Sequence, residues 1–168
     1  MKRALLVAVA LAALHLTICV TEARADCTDP AGPEVNWRRC YLDSRDLHAV
    51  NLEGAMLRDA TFQRARLGQA NLSKVDAYRA KFVSATMKGV RLDGARLIEA
   101  DLTRADLTGA TLIEADLRNA KFINADLRQA NLTGARLSGT DFRNADVTGA
   151  TWVDGKRVCA ENSIGQCN

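Results

Sequence analysis

Few residues of this chain are spaced to do chemistry. Of its 2 histidines, His15 lies in an apolar N-terminal run and His48 stands alone in the rest of the sequence. A single histidine removes multi-histidine metal sites and any mechanism that needs a second imidazole. There is no Gly-x-Ser-x-Gly elbow and no glycine-rich phosphate cradle. Carboxylates are plentiful, and three of them, Asp106, Asp126 and Asp146, recur 20 residues apart. Such a row would make a weak calcium site or a docking strip for a basic partner; the plainer reading is a solvated acidic edge softened by Arg104 and Arg128. No catalytic residue, no cofactor and no enzyme activity is expected.

The 5 cysteines carry a different chemistry. Residues 1–25 read as a secretory signal: Lys2 and Arg3 open it, Ala4 to Val20 is mostly apolar, and Ala23-Arg24-Ala25 is a small-x-small cleavage site. Cleavage before Asp26 removes Cys19 and leaves Cys27, Cys40, Cys159 and Cys167 for an oxidising compartment, periplasmic or extracellular. Four cysteines permit three pairings. Because two lie at each end, Cys27 with Cys40 and Cys159 with Cys167 is the economical choice, and a zinc site fits their spacing poorly. Cleavage also takes away Lys2, Arg3, Arg24 and Glu22, lowering the formal net charge from +3 to about +1. A near-neutral chain has neither the basic excess of a nucleic-acid binder nor the acidic excess of a DNA mimic. No stable membrane insertion is expected once the signal is gone.

What must position these residues is a five-residue period. Every fifth residue from Leu42 to Trp152 is apolar, 23 positions in all, and the residue two before each is mostly alanine. Between them stands Asp, Asn, Thr, Arg or Lys. An α-helix would carry successive leucines around its axis, and a strand of period two does not divide five. The pattern fits a coil that turns a corner every five residues and closes a square in 20.

This run, Ala-(Asp/Asn/Thr/Arg)-Leu-x-x in register over residues 40–154, resembles the pentapeptide-repeat family. The resemblance implies an all-β fold, a right-handed quadrilateral β-helix with the central Leu or Phe and the preceding Ala turned inward. At 20 residues per coil it predicts five to six coils. Residues 20 apart should stack along one side, and the charges agree: Lys81, Asp101, Lys121 and Asp141 alternate in sign, as do Asp76, Arg96, Asp116 and Arg136, and Asp59, Arg79 and Glu99. Ala77 thins the core unless Phe62, Phe82 or Met87 fill the space, and Arg45 stands at an inward place on a side still open to solvent or to the cap.

A solenoid must cover its ends. Residues 26–39 are expected to form an N-terminal cap loop and 155–168 a C-terminal cap closed by its disulfide; Trp152 should end the core stack, with Val153, Val158 and Ile164 following it at that end. Outward apolar groups are few; Tyr78, stacked with Ile98 and packed under Arg58, is the candidate contact patch. The expected function is a non-enzymatic, exported structural or protein-interaction solenoid with an unidentified protein partner, no nucleic acid, and an end-to-end homodimer as a further option. The alternative that the resemblance raises is a DNA mimic that binds DNA gyrase, against which stand the export signal, the cysteines and the neutral charge.

Overall fold

The computed structural model describes residues 25–168; the expected signal of residues 1–25 lies outside them but for Ala25. From Asn36 to Thr151 the backbone repeats one five-residue unit: a bridging residue, a central residue, a two-residue turn and an inward residue. Each bridging residue from Asn36 to Asn131 pairs in parallel with the one 20 later, as in Asn36 with Met56, Lys81 with Asp101 and Asn131 with Thr151. The four-sided, 20-residue turn expected from the charge ladders is therefore present.

One unit shows why the sequence folds this way. In 101–105, the Asp101 N–H donates to Ala80 O at 2.9 Å, the Leu102 N–H to Lys121 O at 2.8 Å and the Arg104 N–H to Ile123 O at 2.9 Å. The Ala105 N–H closes the corner on Leu102 O at 3.0 Å. The fifth, that of Thr103, points away from both neighbouring coils, and the Asp101 carboxylate accepts it at 3.0 Å. All five donors are thus satisfied, as buried or half-buried backbone requires. The second turn residue has a positive φ throughout, whether it is Arg104 at 58° or Gly109 at 67°. That is the left-handed place of a type II turn. At Gly139 an added Cβ would run into the exposed Asn119 side chain, which would have to turn aside.

Central and alanine side chains fill the interior. Leu52, Leu57, Phe62, Leu67 and their successors through Leu132 are fully buried. Phe62 stacks on Phe82 with ring centroids 5.1 Å apart, and Phe122 on Phe142 at 5.3 Å. At the thin place, Ala77, Phe62, Phe82 and Met87 have no exposed surface. Arg45 is exposed, and Thr140, another departure from alanine, donates its hydroxyl to Leu117 O at 2.8 Å.

The two ends differ from expectation. Bridging begins at Asn36 rather than at residue 40, and Trp37 sits in the central column, 1% exposed. Part of the expected cap loop is therefore coil: Val35-Asn36-Trp37 keeps the phase of the repeat, and Cys27–Cys40 ties the preceding segment to it. At the other end Cys159–Cys167 closes a segment that runs antiparallel, pairing Val158 with Thr151 and Ile164 with Asp146. Val158 and Ile164 are 61% and 50% exposed. Their neighbours Cys159 and Ser163 take the inward places, as strand alternation dictates.

Candidate interaction surface

Tyr78 lies on one side of the stack, in the turn after Ala77, and it is half-buried rather than exposed because three guanidiniums surround its ring. Arg58 is 5.1 Å, Arg96 5.2 Å and Arg79 5.9 Å from the centroid. Its hydroxyl donates to Glu99 at 3.3 Å, while Asp76 pairs with Arg96 at 2.9 Å and with Arg58 at 3.8 Å. Arg79 lies between Asp59 at 3.7 Å and Glu99 at 3.9 Å. Ile98 follows Tyr78 one coil on, also half-buried, and its carbonyl accepts from the Arg79 N–H at 3.0 Å. The arrangement that the ladder predicts, Arg58 over Tyr78 with Ile98 beyond, is in place as a cation–π cluster.

Asp106, Asp126 and Asp146 stack as expected, through parallel bridges, but they do not gather as metal ligands. Asp106 accepts from the Thr108 N–H at 3.2 Å and hydroxyl at 2.7 Å, and Lys88 lies 3.3 Å away. Asp126 accepts from the Arg128 N–H at 3.1 Å and from its guanidinium, and Asp146 from the Thr148 N–H at 2.9 Å. Among the described residues no group of three or more acidic, histidine or cysteine side chains is placed to hold a metal ion. The physical reason is the orphan turn N–H: an Asp or Asn at the bridging place is drawn down onto its own turn. Asp76, Asn71, Asn131 and Asp141 do the same. Where the bridging residue is Thr61 or Thr111, whose hydroxyl does not take this N–H, the preceding coil supplies the oxygen, Asp43 for the Gln63 N–H at 2.8 Å and Asp93 for the Ile113 N–H at 3.1 Å. The recurrence of Asp and Asn at the bridging place is in large part this local turn chemistry.

Arginines two residues on reinforce it. The hydrogen bond from Arg128 holds the Asp126 carboxyl below the ordinary carboxylate range, and those from Arg118 and Arg143 do so for Asp116 and Asp141. His48 is exposed, its ring lying over Gly68, where an added Cβ would come 3.1 Å from Nδ1.

The sequence pattern described as pentapeptide repeats matches residues 38–73, 78–113 and 112–149, in 8 copies. The chain belongs to the pentapeptide-repeat family. Pentapeptide-repeat proteins form right-handed β-helices and are in general structural or interaction proteins rather than enzymes. Solved structures similar to this one include HetL of the cyanobacterium Nostoc sp. strain PCC 7120, a pentapeptide repeat protein involved in heterocyst differentiation regulation. It is 22% identical, with 74% of this chain and 90% of that one covered and a TM-score of 0.31. A pentapeptide repeat protein of the Arabidopsis thaliana thylakoid lumen is 23% identical, covering 77% and 84%, with a TM-score of 0.34. Full-length QnrB1, a plasmid-mediated fluoroquinolone resistance protein, is 22% identical, covering 70% and 65%, with a TM-score of 0.41. No curated protein matches the chain. Among the described residues no helix is long and apolar enough to cross a membrane.

The surface residue most exposed to water among the large apolar ones was not singled out by the repeat. Tyr41 is 84% exposed. It occupies a bridging place in the first coil and, among the described residues, pairs only with Thr61 after it. The signal was its position: a tyrosine where the other bridging places carry polar residues or Met56.

Proposed function

We propose that this pentapeptide-repeat protein is exported, with residues 1–25 removed before Asp26, and works in the periplasm or outside the cell as a non-enzymatic solenoid that presents ordered side-chain ladders to a protein partner. The observation that carries the reading is rigidity without a reaction centre. Outward side chains stand on a backbone fixed at every corner, and the arginine cluster around Tyr78 is held by ion pairs and ring contacts instead of surrounding a nucleophile or base. The two disulfides support an oxidising compartment. From Asn36 to Thr151 we read between five and six 20-residue coils. Tyr78, Ile98 and Arg58 are the contact residues in this proposal, and nucleic acid is not a partner.

N-terminal sequencing of the exported product tests the compartment: it should begin at Asp26, whereas retained Met1 would remove that part of the proposal. The gyrase-binding alternative is tested by supercoiling. The protein freed of residues 1–25 should neither inhibit nor protect gyrase at low micromolar concentration. The partner is tested by affinity capture from a periplasmic extract. A protein retained by the wild type should be lost on Tyr78→Ala and kept on substitution of Arg104, which lies along another edge.

The C-terminal end is the proposed route to a homodimer. Two of its four sides are covered by the returning strand; on the other two, the N–H groups of Leu137, Gly139, Phe142 and Asn144 have no backbone acceptor among the described residues, and Leu137, Phe142 and Trp152 are half-buried. Unpaired edge donors beside apolar side chains favour pairing with another chain.

A further inference from the structure

We propose that the edge running from Arg38 to Lys81, near the N-terminal end, is a binding site for carboxylate side chains on an extended acidic segment of the partner protein. The inference rests on the interaction reading above and gives the partner its chemistry. Two depressions lie side by side here. One, of about 380 Å³, is lined by Arg38, Arg39, Arg58 and Asp59, together with Ala25, which cleavage before Asp26 removes. The other, of about 360 Å³, is lined by Arg39, Tyr41, Asp59, Thr61, Arg79 and Lys81. Between them they gather five cations around one carboxylate, on a protein that is nearly neutral as a whole.

Three features single this edge out from an ordinary solvated charge cluster. First, two of the cations are not neutralised locally, although Arg58 pairs with Asp76 at 3.8 Å. Neither Arg39 nor Lys81 forms an ion pair among the described residues, and Arg79 reaches its carboxylates only at 3.7 and 3.9 Å. Second, Thr61 is 8% exposed, and its buried hydroxyl has no hydrogen-bond partner although it lines the second depression. A buried hydroxyl without a partner is destabilising, so a ligand oxygen that reaches it gains more than a surface hydrogen bond would. Third, the frame is rigid: the Arg39 N–H is held by Arg58 O at 2.8 Å, and the Tyr41 and Lys81 bridging places are both tied to Thr61. Tyr41, open to water above them, supplies an aromatic platform.

The shape selects discrete carboxylates over a continuous polyanion. Asp59 borders both depressions, so a phosphate strand crossing the edge would pass over a like charge. An extended peptide places alternate side chains about 6.8 Å apart on one face, and two acidic ones straddle Asp59 with a shorter residue above it. Nucleic acid also demands a broader basic field than five cations on three coils.

The test is fluorescence anisotropy of the disulfide-bonded protein with a labelled hexapeptide of alternating Glu and Ala. Binding should weaken as salt is raised, since exposed charges are screened. Arg39→Gln with Lys81→Gln should weaken it by roughly tenfold, about 1.4 kcal/mol. Gln69 and Gln129 already occupy the turn place of Arg39 with the same positive φ, so the variant retains its corner. Thr61→Val should cost roughly threefold, near the net worth of one hydrogen bond, and Arg104→Gln should change nothing. The proposal is overturned if the peptide does not bind, if it binds the double variant as well as the wild type, or if an oligothymidylate or phosphatidylglycerol vesicles bind more tightly than the peptide. Failure here would leave the capture result at Tyr78 standing, so the two readings fall separately.

Discussion

At the N-terminal end of the stack one indole does the sealing, and at the C-terminal end the chain itself turns back. Trp37 lies in the central column, buried, over a coil whose four core positions Leu42, Leu47, Leu52 and Leu57 are each 7% exposed or less. The segment before it is tied down by Cys27–Cys40 and makes no bridge of its own. At the far end, residues 157–165 pair edge to edge with two sides, through Trp152 N–H to Arg157 O at 2.8 Å, Gly149 N–H to Cys159 O at 2.8 Å and Val147 N–H to Ser163 O at 3.0 Å. Two sides are left unpaired. The difference separates two problems that every solenoid end poses: keeping the apolar column dry and satisfying the backbone edge. The first end solves the former with side-chain volume; the second solves half of the latter with backbone.

Trp37→Ala should break this contrast most strongly. Removing a buried tryptophan costs about 3–5 kcal/mol, and Trp152→Ala, at a half-buried place, should cost roughly half as much by the same reasoning; denaturant unfolding compares them. Trp37→Phe sharpens the point, because the indole Nε1 has no partner in its buried site. Phenylalanine keeps most of the volume without the orphan donor, so its cost should fall to about 1 kcal/mol.

The disulfides come next. Replacing Cys27 and Cys40 with serine, or Cys159 and Cys167, should each lower stability by about 2–3 kcal/mol, since both close short loops. The ends should then part company. Only the C-terminal pair, by releasing strand 157–165, should add concentration-dependent association in sedimentation, because it bares two more sides of an unpaired edge.

Away from the ends, Tyr78→Ala should cost about 1 kcal/mol, the scale of a cation–π cluster plus its hydroxyl. The smallest effect is acid sensitivity. Asp116, Asp126 and Asp141 titrate below the ordinary carboxylate value of 3.8 because each accepts hydrogen bonds from the arginine two residues on. A depressed folded value means that the stabilisation is complete above about pH 4 and is lost as pH falls through the folded pKa. The unfolding midpoint should therefore drop on the acid side, and Asp126→Asn, which retains an oxygen for the Arg128 N–H but loses the charge, should flatten that limb.

Much of the fold was legible because five-residue spacing admits so few backbones. Leu42 to Trp152 announced the column, and charge pairs such as Asp76 with Arg96 announced the 20-residue return. The first coil was hidden by Pro33 and by Cys40 in an alanine place, although Trp37 stood in phase with Leu42. The returning strand was not legible at all: residues 157–165 carry no period, and which of Val158 and Cys159 faces inward follows from an antiparallel pairing set by tertiary contact. Arg58 over Tyr78 could be placed by stacking alone, whereas the fate of Asp106, Asp126 and Asp146 depended on a turn N–H that the sequence does not display.

The 20-residue return is the claim on which the ladders and both depressions depend, and engineered disulfides measure it directly. Arg91 and Thr111 bridge in parallel, so their α-carbons lie about one strand spacing apart, near 4.8 Å, within disulfide reach. Arg91→Cys with Thr111→Cys should cross-link on oxidation, read by peptide mass, while Arg91→Cys paired with Asp106→Cys or with Asp116→Cys should not. Cross-linking of either offset pair as efficiently as the bridged one, or none at the bridged pair, would contradict the coil described here.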